Sequence, residues 1–553
     1  MKIDVELQNK LVGILTGLRN DRLPFWNMWR DIAEFYIPKR YTWLMSDKER
    51  KQYLQTNSSI LDSTGTTAGK VLAAGMMNGI TSPSRPWFKL RLRDFGDSLD
   101  YAARRWLDEV ERRMLVIMAE SNFYNALAVM YLDLAFFATS AVLIEEDEKS
   151  IIRCYNCSVG EYYLGLSSSY KVDQVAREFS WTVRQIVQRW GIDNVSETIK
   201  NQHERGGANL SNSYEIAHLI MPNDGSVASN FEFVEYYWEK SNINKGEILG
   251  QSGYHELPGI FPRWEVTGND AYGTGPGIDA LGDVKQLQHE TKRKAQGLDY
   301  MLRPPMVLDI QLAHKPTALL PGGQTFVAGV NNVGAKPAYQ INMPINELTM
   351  DIRDIQQRIQ IVFNNDLFKM ISQLDTVRSA TEIDARREEK LVQLGPVLER
   401  FQHEGLNPAV NRLFNIMQRR KLLPDAPASL HDKTLDIEYV SILSAAQSAV
   451  GVAPTERWLG LLGNVAAVYP GAADLPDWDE LLRDYARDIG VKAKGVAMPD
   501  EVAQVRAARV KQLQTENSLQ LAGQAAKSAK VLSETDVGGG ANALQQIIGG
   551  AGG

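Results

Sequence analysis

The sequence predicts an α+β chain that is mainly helical, and three observations carry that expectation. Stretches with helical spacing of apolar residues recur from end to end, at Val5 to Ile37, Asp100 to Ala138, Ile345 to Phe368 and Asp500 to Glu534. β-type runs gather between Ala141 and Val266, interrupted by one helical piece, Thr182 to Lys200. The composition, 44% apolar and 23% charged over 553 residues, is the globular average and excludes wholesale disorder and fibrous repeats. That length suffices for about three or four domain-sized cores.

Taken in order, Pro24 splits the first stretch into two helices, because a proline has no N–H for the helical ladder. Phe25, Trp26, Trp29, Ile32 and Phe35 recur at helical spacing and are expected in the core. Phe231 to Trp238 is the clearest strand, rich in the aromatic and β-branched residues that a pleated surface favours. After the Gly-Pro-rich turn Tyr272 to Gly277, a helix is predicted over 278–303, about 39 Å long at ~1.5 Å per residue. Between Lys285 and Lys294 its one large apolar residue is Leu287, so this helix reads as polar nearly all round and solvent-bridging.

A second helix over 345–371 has Ile345, Leu348, Ile352, Ile355, Ile359 and Val362 at spacings of three and four, the narrow seam of helix-on-helix packing. Between the two helices, 304–344 carries turn signals at Pro321-Gly-Gly323 and Asn331-Asn332 and β-type runs at Pro305 to Ile310 and Gln324 to Val330. Two matched helices thus hold a small β-rich tip. A polar loop, 372–378, leads to Ser379-Ala-Thr-Glu382, which has the spacing of a capping box. A long helix over 379–424 follows, with Pro396 and Pro408 as expected kinks or boundaries and Ile383, Leu391, Leu394, Leu398 and Phe401 as its core face. A helix over 500–537, weakly amphipathic and full of Ala, Gln, Lys and Arg, precedes a Gly-rich tail, 538–553, expected to be mobile.

The formal net charge of -7 speaks against a tight grip on DNA, since sequence-independent affinity comes from Lys and Arg neutralising phosphates. Two cysteines cannot make a disulfide framework, and no basic stretch followed by an apolar run opens the chain, so a reducing cytoplasm is the expected compartment. The most apolar window, Val129 to Ile144, contains Asp133 and runs into Glu145, Glu146, Asp147 and Glu148, which makes it too short for a bilayer span of about 20 residues.

No motif carries catalysis, a metal or a cofactor. Gly65-Thr-Thr-Ala-Gly-Lys70 resembles a phosphate-cradling loop but has one residue too few between its glycines and continues with Val71. Gly273-Thr-Gly-Pro-Gly277 fails as a dinucleotide fingerprint because Pro276 interrupts it. Cys154-Tyr-Asn-Cys157 is a lone pair where a structural zinc needs four ligands, so two reduced, partly buried thiols are expected. The seven histidines show no ligand spacing. Lys292-Arg293-Lys294 reads either as a solvated face or, if copies are arranged around a channel, as a basic belt.

Three segments resemble the head-tail connector (portal) family of podovirus-type phages: Leu72 to Phe88 (LAAGMMNGITSPSRPWF), Tyr272 to Asp283 (YGTGPGIDALGD), and Ser379 to Ile383 continuing through Leu394 to Arg400. The resemblance runs from about Leu7 to about Pro424. It implies a portal fold assembled as a dodecameric ring at one capsid vertex, with 1–277 as wing, 278–303 and 345–371 as stem helices, 304–344 as clip, 372–378 as tunnel loop, 379–424 as a kinked wing or crown helix, 425–499 as crown and 500–537 as barrel helix. It also implies double-stranded DNA passing through the channel during packaging and ejection, terminase as a packaging partner, contacts to capsid and scaffolding proteins, and a tail adaptor at the clip. Neither a membrane nor a cofactor enters. The implied place is the virion, after assembly in the host cytoplasm. Lys292, Arg293 and Lys294 on the stem, and Gln373, Asp375, Thr376 and Arg378 on the tunnel loop, become the channel residues facing DNA. Twelve chains of -7 each suit a tube that lets DNA slide. A tail adaptor or an ejected internal protein, or a nucleotide-dependent enzyme using the loop around Lys70, are the alternatives.

Overall fold

The computed structural model describes residues 2–41, 44, 60–92, 101–225, 230–304, 306–308, 335–337, 344–372, 394–427, 430, 435–439, 458–465, 469, 471, 474–479, 481–482 and 499–534. The chain divides into two compact units, Met1–Gln447 and Ser448–Gly553.

In the first unit, α1 (Val5–Arg22) and α2 (Trp26–Tyr36) are separated by a 3-10 turn at Leu23–Phe25, the break that Pro24 requires. Asp4 caps α1, its carboxylate accepting from the Leu7 N–H at 2.7 Å. Trp29 and Ile32 are fully buried, and Phe25, Trp26 and Phe35 pack partly buried against the same core. The aromatic stripe is a core face.

Next, α3 (Thr64–Ile80) contains the loop-like Gly65 to Lys70 segment wholly within a helix. Its glycines have a packing role. A Cβ on Gly69 would come within 2.3 Å of the Phe136 ring, one on Gly75 within 2.2 Å of Phe368, and one on Gly65 within 2.9 Å of Val284. Glycine costs a helix interior roughly 0.5–1 kcal/mol relative to alanine, and the close approach of three neighbouring elements offsets it.

β1 (Phe88–Leu92), α4 (Tyr101–Glu120) and α5 (Phe123–Phe137) follow. α5 is buried on nearly every side, which explains its apolar sequence. Asp133, in its middle, lies 3.0 Å from the Arg40 guanidinium, and burial pushes its carboxyl up to about 7 against that cation. Among the described residues no single helix is long and apolar enough to cross a membrane.

The β-rich region comprises β2 (Ala141–Asp147), β3 (Ile151–Cys157), β4 (Tyr162–Leu166), β5 (Val172–Thr182), α6 (Val183–Trp190), α7 (Glu197–Arg205), β6 (Ser213–Pro222), β7 (Phe233–Glu239), β8 (Gly250–Tyr254) and β9 (Gly259–Ile260). β4 to β8 form a five-stranded antiparallel sheet in sequence order, and β3, β2 and β9 a three-stranded one. Leu11, Leu15 and Leu18 of α1 pack on Ala217, Leu219, Tyr236 and Trp238. Alternate residues of the same strands, Phe179, Ile216 and Tyr237, pack on Val183 and Ile186 of α6 and Ile199 of α7. This alternation is the period of two that a strand imposes.

The turn Gly273 to Gly277 docks on the end of α5, where a Cβ on Gly273 would lie 2.5 Å from the Ala138 carbonyl and one on Gly277 2.2 Å from that of Phe136. The helix expected over 278–303 begins as a separate turn, Pro276–Asp279, followed by α8 (Leu281–Leu302). β10 (Met306–Leu308) pairs antiparallel with β11 (Ala335–Pro337). The helix expected over 345–371 is two, α9 (Ile345–Val362) and α10 (Asn365–Ser372). Asn364 separates them in the left-handed conformation, φ 51°, which a short polar side chain tolerates better than most.

Pro396 leaves the helical residues 394–401 unbroken. The break expected at Pro408 is present as a π turn, Gln402–Leu406, just before α11 (Asn407–Arg419). Pro408 cannot donate to the Glu404 carbonyl, and widening the turn accommodates that loss. Leu394, Leu398 and Phe401 are buried as predicted. β12 (Leu435–Tyr439) pairs antiparallel with β1, tying residues expected to open a crown to the N-terminal body. The second unit contains a helix at 458–465 and α12 (Pro499–Glu534), exposed from 503 to 528, where Arg506 holds Asp479 through two hydrogen bonds of 2.6 Å. Most of the tip, the tunnel loop from Gln373 onward, the capping box at Ser379, Ile383, Leu391 and the tail 538–553 lie outside the described residues.

Candidate functional site

The candidate site is the hairpin of α8 and α9. Two contacts fix its orientation: Arg358 donates to Asp283 at 3.1 Å at one end, and β10 pairs with β11 at the other, so the helices run antiparallel. Val284 and Leu287 of α8 and Ile352, Ile355 and Ile359 of α9 are buried between them and the body. The predicted seam of α9 is therefore its core face.

The expectation that α8 is polar nearly all round and solvent-bridging holds for half of it. Gln288 is buried, and its Oε1 accepts from the Leu61 and Asp62 N–H groups at 2.7 and 2.9 Å while its Nε2 donates to the Asp62 carbonyl at 2.8 Å. Gln356 of α9 donates to the Asp62 carboxylate at 2.7 Å, and Asp62 in turn accepts from the Thr64 N–H at the start of α3. Lys285 reaches Asp31 of α2 at 2.5 Å. The base of the hairpin is clamped to the body through side-chain amides that satisfy backbone groups. A buried polar residue is tolerated on that condition.

Lys292, Arg293 and Lys294 lie beyond the clamp. Lys292 and Arg293 are exposed, Lys294 half-buried, and none has a hydrogen-bond or ion-pair partner among the described residues. Successive residues of a helix are about 100° apart, so the three fan across the outer surface of α8. Tyr300, Met301 and Leu302 at its far end are exposed, as is Met350 of α9. Of the predicted tunnel-loop residues, Gln373, Asp375, Thr376 and Arg378 all lie outside the described residues.

Elsewhere the structure gathers titratable groups where spacing gave no hint. His218 on β6 is buried and stacked flat on the Tyr237 ring, centroids 4.0 Å apart. The Arg177 Nε–H donates to its Nδ1 at 3.0 Å, so Nε2 bears the proton and donates to Glu235 at 2.8 Å. Ser252 and Tyr254 donate to the same carboxylate, each at 2.8 Å. Burial pushes His218 down to about 4; burial also opposes the Glu235 charge, but its three donors outweigh that and hold the carboxyl well below the usual range. With every partner internal and no open face, the cluster is a structural network.

Cys154 and Cys157 are both buried on β3, and burial pushes each thiol up to about 12, which makes them poor nucleophiles. Among the described residues no group of three or more His, Cys, Asp or Glu side chains could hold a metal ion. Lys70 is exposed on α3, and the Gly65 to Lys70 segment is helix rather than the open loop a phosphate-cradling motif forms.

Sequence reasoning missed the Gln288–Asp62–Gln356 clamp and the buried Arg263, which pairs with Glu404 of the π turn at 2.6 Å and donates to the Asp270 and Tyr170 carbonyls. Both join residues far apart in the chain. The one available sign was glutamine crowding in α8 and α9.

A family model described as bacteriophage head to tail connecting protein matches residues 8–496, which includes the whole hairpin. The "Portal protein" of Salmonella phage epsilon15 is 39% identical over 537 residues, 96% of each chain. The "Probable portal protein" of Bordetella phage BPP-1 is 35% identical over 527 residues, 94% of each.

Proposed function

The chain belongs to the family of bacteriophage head to tail connecting proteins, and from that membership we propose that it is the portal subunit: a structural protein, without chemistry of its own, that rings the DNA path at one capsid vertex. It is a component of the phage particle at the junction of head and tail. In this reading about twelve copies close into a head-to-tail ring, which leaves no free edge. α8 and α9 are the stem, the segment between them is the clip that meets the tail adaptor, the N-terminal α+β body is the wing against the capsid, and α12 contributes to a helical barrel. Terminase docks on the ring during packaging, and the duplex passes through it at packaging and ejection.

The observation that carries this reading is the hairpin itself. Its base is clamped to the body by satisfied polar contacts, while its outer half presents exposed apolar side chains and charged ones that have no hydrogen-bond or ion-pair partner among the described residues. A helix pair so finished at one end and bare at the other fits an assembly. Arg293, on the side of α8 away from the body, is the best placed of the three cations to face the duplex, with Lys292 and Lys294 flanking it. Phosphate contacts of that kind position DNA without reading sequence. Gln373, Asp375, Thr376 and Arg378 would add weak contacts at the constriction.

Negative-stain imaging of the purified protein tests the assembly, with rings around a central hole expected. Particles without a hole under all salt conditions would refute it. Deleting Gln373 to Val377 tests the loop: rings and packaging initiation are expected to survive while packaged DNA leaks, and normal retention would remove the loop from the mechanism.

A further inference from the structure

The two flanks of the hairpin carry opposite charge. Asp283 and Arg358 pair, so they lie on one side of the plane of the two helices. On α9, Asp354, Asp351 and Glu347 precede Arg358 by four, seven and eleven residues, and at ~3.6 residues per turn all three share its side. On α8, Glu290 and Lys294 follow Asp283 by seven and eleven and fall there too. Lys292 follows Asp283 by nine residues, about two and a half turns, which places it on the opposite side. Arg353, five residues before Arg358, lies on that opposite side as well, and so does Asp299 nearer the strands.

None of Glu290, Lys292, Lys294, Asp299, Glu347, Asp351, Arg353 and Asp354 has an ion-pair or hydrogen-bond partner among the described residues. One flank thus offers four free acids against Lys294, and the other offers Lys292 and Arg353 against Asp299. Heights match also. In an antiparallel pair, residues equally far from the Asp283–Arg358 contact stand level, so Lys292 is level with Thr349, between Glu347 and Asp351.

We propose that the Lys292–Arg353 flank of one hairpin docks on the Glu347–Asp351–Asp354 flank of the next copy of this chain, with Lys292 received between Glu347 and Asp351 of that copy. This rests on the ring reading above and names the contact that sets subunit order in it. A ring related by rotation brings one flank of every copy against the opposite flank of its neighbour, a heterologous contact that repeats with the same charge match each time. Complementary charge across such an interface suppresses the reversed orientation, which would set acids on acids. It also divides the work of the basic run: Lys292 serves the neighbouring copy, and Arg293 remains for the channel.

The test is a charge-reversal cycle on the full-length chain, read as the ring fraction by native mass spectrometry at low and high salt, with helicity followed by circular dichroism. Lys292→Glu and Asp351→Lys alone are each expected to lower the association constant for ring closure about tenfold at low salt, since like charges then face each other. The double variant is expected to regain most of that loss. Singles that assemble like the parent, or a double no better than the singles, would overturn the proposal and leave the ring reading standing. A parent chain that stays monomeric throughout would overturn both.

Discussion

The Arg177–His218–Glu235 cluster and the outer half of the α8–α9 hairpin are both dense in polar side chains, yet they meet opposite fates. In the cluster, every charge is buried and finds its partner within the chain, the histidine held between a guanidinium and a carboxylate. On the hairpin, nine charged side chains, Arg293 among them, stand without partners among the described residues. Burial forces the difference, because an unpaired charge in the interior costs several kcal/mol while one in water costs nothing. Internal satisfaction marks the cluster as architecture, whereas the proposed ring assigns the partnerless hairpin charges to a neighbouring copy and to DNA.

The sharpest way to break that contrast is to remove one partner from the cluster. Glu235→Ala strips the acceptor from His218, Ser252 and Tyr254 and leaves Arg177 buried with less counter-charge. It should cost about 3 kcal/mol or more in urea unfolding, as loss of one member of a buried pair does. His218→Gln keeps a donor and an acceptor but removes the titration. Because burial lowers the folded pKa to about 4 from an unfolded value near ~6.5, the unfolded chain binds the proton first, and stability falls as the pH drops from about 6.5 toward 4. The variant's stability should vary less across that window, and an identical pH profile would show that His218 is not the titrating group.

At the boundary between the two regimes, Gln288→Ala orphans two backbone N–H groups and a carbonyl at residues 61 and 62. A loss of about 1–3 kcal/mol is expected, measured by the same unfolding. Beyond the clamp, replacing Lys292, Arg293 and Lys294 together by Ala should change stability by no more than about 0.5 kcal/mol each, while DNA retention in assembled particles falls. Packaging and retention equal to the parent would return the basic run to a merely solvated face. Smallest of all, Lys70→Ala should leave folding, assembly and phage growth unchanged, because that side chain is exposed on a helix. Growth lost with assembly intact would reveal a role for α3 that its packing does not suggest.

The sequence by itself determined the local elements. Pro24 placed a break, the Ile352, Ile355 and Ile359 spacing placed the buried face of α9, aromatic and β-branched richness placed β7, and the quoted motifs placed the family. These signals act within a few residues, through ladder hydrogen bonds and the periods of 3.6 and 2, so they survive in the linear pattern. Only the tertiary structure decided why Gly65, Gly69 and Gly75 are glycines, since the Val284, Phe136 and Phe368 side chains that exclude a Cβ come from distant segments. It alone decided that Gln288 is buried rather than solvated, a choice made by backbone groups more than two hundred residues away. It also sorted the hairpin charges onto two flanks, because a flank exists only once a second helix defines a plane. The opposed signs were written in the sequence all along, but which side each one faced was fixed by packing.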